Sequence, residues 1–118
     1  MKEIFDRVKT HLLAQGERAI RVGHVSGEKV IRCAYHAQSG LKCAVGCLIT
    51  EEAYSEELEG APVDVGHVRG SLEASGIVVD LVTLGMLCKL QSIHDDEVPD
   101  RWEHSLDNLE AKLFGDAE

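Results

Sequence analysis

The segment Gly40-Leu41-Lys42-Cys43-Ala44-Val45-Gly46-Cys47-Leu48-Ile49 is the longest apolar, small-residue stretch in the first half of the chain. A water-soluble chain has to cover such a stretch, so the remaining elements are read as its cover. A glycine-closed turn introduces it and the acidic run Thr50-Glu51-Glu52 ends it. The 118 residues correspond to a single domain, 1–118, near the commonest domain size. Aromatic residues are only 4% of the chain, so the core has to be Leu, Val, Ile and Ala, with Trp102 as its one large anchor.

Around this segment the hydrophobic spacing is mostly helical. Ile4, Phe5, Val8, Leu12 and Leu13 recur at three and four over residues 2–15, and Gly16 follows where a C-cap glycine belongs. Residues 17–31 alternate apolar and charged side chains around Ser26-Gly27, which predicts a turn between strand-like pieces. Arg32 to Tyr35 predicts a strand, His36 to Gly40 a loop, and Leu41 the start of the second arm of a hairpin. For residues 43–49, Ala and Leu favour a helix and Val and Ile a strand. The expectation is a helix starting near Lys42 or Cys43.

Thr50-Glu51-Glu52 has the form of an N-cap with acidic first-turn residues, predicting a short helix to Leu58. Gly60-Ala61-Pro62 is the clearest loop, where a sub-domain boundary would fall. A short helix is expected between Gly66 and Gly76, and a longer one from Val79 to about His94 through Leu81, Leu84, Leu87 or Cys88, Gln91 and Ile93. Gly85 inside it suggests close packing against another helix. Asp95-Asp96-Glu97 reads as a solvated polar break, and Pro99 opens a last helix through Trp102, Leu106, Leu109 and Leu113 to Gly115. The fold class is therefore α+β and α-rich, with four or five helices around a small β-hairpin. The echo between Gly23-His24-Val25-Ser26-Gly27 and Gly66-His67-Val68-Arg69-Gly70 lacks matching flanks and is read as coincidence.

Net charge is −9, and its distribution is uneven. Residues 1–50 carry eight Lys or Arg against four Asp or Glu, whereas residues 51–118 carry four against seventeen. That balance argues against nucleic acid as a direct partner, since such affinity rests on clustered basic residues. No run approaches the ~20 apolar residues of a membrane helix, and the start of the chain lacks the apolar region of a signal peptide. A cytoplasmic location and reduced thiols at Cys33, Cys43, Cys47 and Cys88 are expected.

Three constellations bear on chemistry. Cys33-x2-His36 with Cys43-x3-Cys47 supplies four soft ligands for zinc. The second pair is poorly spaced for a structural site, so no metal is expected. Cys43 at a helix start, with His94 and Asp95 as base and orienting group, is the alternative for a cysteine-dependent enzyme. Asp95-Asp96-Glu97 with Asp100 lacks the glycine and alternation of a calcium loop. A phosphate-binding glycine loop, a Gly-x-Ser-x-Gly elbow and a His-Glu-x-x-His pair are all missing from the sequence.

The motif Gly-Leu-Lys-Cys-Ala-Val-Gly-Cys-Leu-Ile at 40–49, with Leu-Gln-Ser-Ile-His-Asp at 90–95 and Trp102-Glu103, resembles a family of small proteins from proteobacteria, their phages and prophages. The resemblance spans about residues 2–114 and brings no established activity. It implies a setting: an accessory gene product in a bacterial cytoplasm. Many small acidic proteins of that kind bind and block a host protein. The favoured reading is thus a non-enzymatic accessory protein that binds a host protein, with no cofactor. Its binding surface is expected on the acidic half, at Glu51, Glu52, Glu56, Glu57 and Glu59.

Overall fold

A computed structural model describes residues 2–37, 39–59, 61, 63 and 66–115. Helix α1 (Lys2–Gln15) buries Phe5, Val8 and Leu12, one apolar stripe at helical spacing. It ends at Gly16, whose φ of +68° suits a residue without Cβ and whose N–H donates to the Leu12 carbonyl at 2.8 Å. Strands β1 (Ile20–Val25) and β2 (Glu28–Cys33) then pair antiparallel, from Ile20 opposite Cys33 to Val25 opposite Glu28. Ser26 and Gly27 turn the chain with φ of 53° and 83°. Two positive φ values in a two-residue loop are the type I′ pattern that matches strand twist.

This is the turn between strand-like pieces expected over 17–31, whereas the further hairpin expected from Arg32 through the 40–49 segment does not form. Among the described residues, one bridge, His36 to Lys42, joins the arms expected to form it. The 40–49 segment is indeed enclosed: Cys43, Ala44, Val45, Gly46, Leu48 and Ile49 are all buried. It contains a single 3-10 turn, Gly46–Leu48, rather than a longer helix. Partners from elsewhere replace helical hydrogen bonds there. The Val45 N–H donates to Gln91 Oε1 at 3.0 Å, and the His36 ring bonds the carbonyls of Gly46 and Ile49.

The helix expected after Thr50 is likewise reduced. The Thr50 hydroxyl accepts from the Ala53 N–H, but only a turn follows. A 3-10 turn, Glu56–Leu58, is capped instead by the Ser55 side chain. Gly60 and Pro62 of the proposed boundary lie outside the described residues. Helix α2 (Gly66–Ala74) buries Val68 and Leu72. One member of the glycine-histidine echo thus sits in the hairpin and the other in a helix.

Helix α3 (Leu81–Asp96) is capped by Asp80, whose Oδ1 accepts from the Thr83 N–H at 2.8 Å. Its core stripe is Thr83, Met86, Leu87, Leu90 and His94. Leu81, expected inside, is 83% exposed, as is Val82 beside it at 67%. A Cβ at Gly85 would meet nothing within 4 Å, so no close helix approach occurs there. The expected polar break is also absent at Asp95 and Asp96, which complete the helix. Pro99 opens a 3-10 turn, Pro99–Arg101, that leads into α4 (Trp102–Phe114). Trp102, Leu106 and Leu109 enter the same core as Phe5, Leu12, Leu48 and Leu87. Phe5 meets Phe114 edge to face at 5.5 Å, joining α1 to α4. The protein is α+β and helix-rich, as the hydrophobic spacing implied.

Candidate functional site

The last two turns of α3 place Gln91, His94 and Asp95 at i, i+3 and i+4, on one helix face. That face meets the end of β2 at Cys33. Ligand atoms of Cys33, His94 and Asp95 lie within 4.8 Å of one another, the one such grouping among the described residues. Cys33, rather than Cys43, is the thiol that joins the histidine and aspartate.

His94 is fully buried, and both its ring nitrogens have partners. The Ala19 amide donates to Nε2 at 3.0 Å, so Nε2 carries the lone pair and the ring proton resides on Nδ1. Nδ1 then donates to Asp95 Oδ1 at 2.7 Å. The ring stacks on Trp102 with centroids 5.4 Å apart. Arg18 holds the same helix end, donating to the carbonyls of His94 (3.3 Å) and Glu97 (2.7 Å). These two carbonyls belong to the terminal group that α3 cannot satisfy internally.

Asp95 Oδ1 also accepts from Gln91 Nε2 at 3.1 Å. Burial pushes this carboxyl's pKa up, but hydrogen bonds from His94, Cys33 and Gln91 outweigh burial and hold it below the usual value. Burial, reinforced by the Asp95 charge, pushes the Cys33 thiol up to about 12. Beside these residues lies a recess of about 420 Å³ walled by Arg32, Cys33, Ala34, Tyr35, Ala61 and Val63, with Gln91 and Asp95 on its helix side.

The other sequence candidates are dispersed. Cys43 is fully buried, its thiol raised well above the normal range by burial, and its sulfur accepts from the Gly46 N–H at 3.3 Å. The Cys47 thiol donates to the Ala44 carbonyl and is raised to about 12, chiefly by burial. His36 stacks on Tyr54 at 4.3 Å. Among the described residues, Cys33, His36, Cys43 and Cys47 form no four-ligand cluster. The Cys33, His94 and Asp95 donor set suits zinc in kind. Yet the Ala19 amide on Nε2 keeps the proton on Nδ1, the nitrogen that faces Asp95, and so opposes ligation there.

The acidic candidates divide by role. Glu59 is structural: its carboxylate accepts from the Tyr35 and His36 amides and from the Tyr54 hydroxyl. Glu51 pairs with Lys42 at 3.2 Å, and Glu56 with Arg21 of β1 at 3.2 Å. Glu52 and Glu57 are exposed. Sequence reasoning anticipated the turn and its strand-like flanks over 17–31 but did not offer their apolar face as a binding surface. The hairpin register places Ile20, Val22 and Ile31 on one face with Cys33, and they are 39%, 53% and 58% exposed. Their alternation with Arg21 and Arg32 was the signal that could have found them.

Comparison with protein-family models, with characterised proteins and with solved structures gives no match. The class the fold defines is thus a small, helix-rich α+β domain with an appended two-stranded hairpin. No helix among the described residues is long and apolar enough to cross a membrane.

Proposed function

We propose that the chain is a non-enzymatic accessory protein, of the phage or prophage type, that binds a host protein in the bacterial cytoplasm through its hairpin. The observation that carries this reading is the exposed apolar face Ile20, Val22 and Ile31 on a sheet of two strands. A lone hairpin is marginal in water, and open edges with an apolar face are suited to pairing with another chain. The Arg21–Glu56 pair ties the acidic segment to the opposite face of this hairpin. A partner with an apolar patch complements the exposed face. The raised thiols of Cys33 and Cys43 and the fully engaged ring of His94 support a binding role over cysteine catalysis.

Affinity capture from a bacterial host with wild-type protein and with Val22→Glu/Ile31→Glu tests the reading. One partner should be retained by the wild type, lost with the hairpin variant, and weakened by Glu52→Lys/Glu57→Lys in a salt-dependent way. Equal retention by the hairpin variant overturns the proposal. Sedimentation supplies a second arm: a wild-type dimer that the hairpin variant converts to monomer makes this face a self-association surface instead.

A further inference from the structure

We infer that the exposed side of α3 docks on the α3 of a second copy of this chain, in a two-fold dimer whose helices cross at Gly85. Helix α3 turns the stripe Thr83, Met86, Leu87, Leu90 and His94 into the core and leaves Leu81, Val82, Gly85 and Lys89 exposed. At 3.6 residues per turn these four fall within about 100° of arc. Leu81 and Val82 are apolar and mostly bare, and Val78, 75% exposed, extends them at the foot of the helix. Val78 and Val82 line one recess, so the patch is continuous. Gly85 is a second, independent observation. A glycine inside a helix weakens it relative to alanine, so it is expected where an unusual backbone or a close approach needs it. Within the chain neither holds: its φ is not positive, and a Cβ there would meet nothing within 4 Å. A second helix crossing at this point supplies the reason, because the distance between packed helices is set by the side chains at the contact.

Charge complementarity points to a second copy as the occupant. Lys89 and Asp80 are exposed, and among the described residues neither has an ion-pair partner. Lys89 lies four positions after Gly85 and Asp80 five before it. An antiparallel crossing sets positions equidistant from the crossing side by side, so Lys89 of each copy comes level with Asp80 of the other. Two-fold symmetry makes that pair twice, flanking an apolar centre of Leu81 and Val82. The hairpin meets α3 at its other end, where Cys33 approaches Asp95, and so stays open to its own partner.

Sedimentation equilibrium of the full chain from about 10 µM to about 1 mM is the test, since one helix pair falls below the standard interface size and suits a dissociation constant on the order of 100 µM. The wild type should pass from monomer to dimer over that range. Leu81→Glu/Val82→Glu should remain monomeric and keep the wild-type melting temperature. Gly85→Gln should melt at or above the wild-type temperature, because glutamine is the better helix former. It should nevertheless dimerise about tenfold more weakly, because its side chain fills the crossing point. Lys89→Asp should weaken the dimer too, most at low salt. Val22→Glu/Ile31→Glu should dimerise like the wild type, which separates this interface from the hairpin face. A wild type that stays monomeric throughout, a dimer indifferent to Gly85→Gln, or a dimer that only the hairpin variant dissolves overturns the inference. So does a captured host protein that Leu81→Glu/Val82→Glu releases, which would give this surface to another chain.

Discussion

The Ala19 amide hydrogen-bonds Nε2 of His94 at 3.0 Å across 75 positions of sequence, tying the approach to β1 to the last turn of α3. One imidazole thereby satisfies a strand-side donor, orients Asp95 and fills the space beside Trp102.

Replacing that ring with His94→Phe should keep the stacking on Trp102 but leave the Ala19 N–H without an acceptor. A buried unsatisfied donor costs about 1–3 kcal/mol. Denaturant melts should show a loss in that range. No loss would mean that the amide finds another partner and that the ring is not the link.

Trp102 is fully buried and its Nε1 donates to the Glu97 carbonyl at 3.1 Å. Trp102→Ala should cost about 3–5 kcal/mol. A change under about 1 kcal/mol in the same melts would contradict the packing of α4 described above.

Gly46 carries a separate constraint. A Cβ there would collide with the Tyr35 carbonyl oxygen and stand 2.7 Å from its carbon, both backbone atoms. Gly46→Ala should therefore destabilise by at least about 1–3 kcal/mol, the cost of overpacking. A variant that melts like the wild type would show that the two segments can separate freely.

Thiol chemistry gives a fourth expectation. With Cys33 and Cys47 at about 12 and Cys43 higher, these three thiols in native protein near pH 7.5 should react with iodoacetamide far more slowly than free cysteine. Unfolding in denaturant should release normal reactivity. A fast native thiol, located by mass spectrometry, would reopen the catalytic reading with Cys33 or Cys43.

A fifth concerns acid. Glu110 on α4 receives Lys2 at 2.6 Å and Lys9 at 2.8 Å from α1, and these bonds lower its pKa from 4.5 to about 2. A depressed carboxyl stabilises the fold fully above its unfolded value and loses that contribution as pH falls through the folded one. The melting difference between wild type and Glu110→Gln should thus be present at pH 7, shrink between pH 4.5 and about 2, and diminish in high salt. A pH-independent difference would show that the lysine clamp contributes nothing.

The candidate site was only partly legible. Helical spacing alone puts Gln91, His94 and Asp95 on one face, and the sequence motif drew attention to His94 and Asp95. The sequence paired them with Cys43, whereas the neighbouring thiol is Cys33, because that depends on which strand end reaches α3. It could not reveal that Glu59 is occupied by the Tyr35 and His36 amides, contacts that span 24 and 23 positions.

Local chemistry in the sequence determined the elements whose causes are local. Apolar residues at three and four drive α1, α3 and α4, and glycines that tolerate positive φ end α1 and close the Ser26-Gly27 turn. Tertiary structure decided the rest. Cys43 to Ile49 is apolar enough for either helix or strand, and it became an irregular buried strap because Gln91 and His36 supply partners to its backbone. Those partners lie 46 positions after Val45 and 10 before Gly46, beyond what local propensity can express.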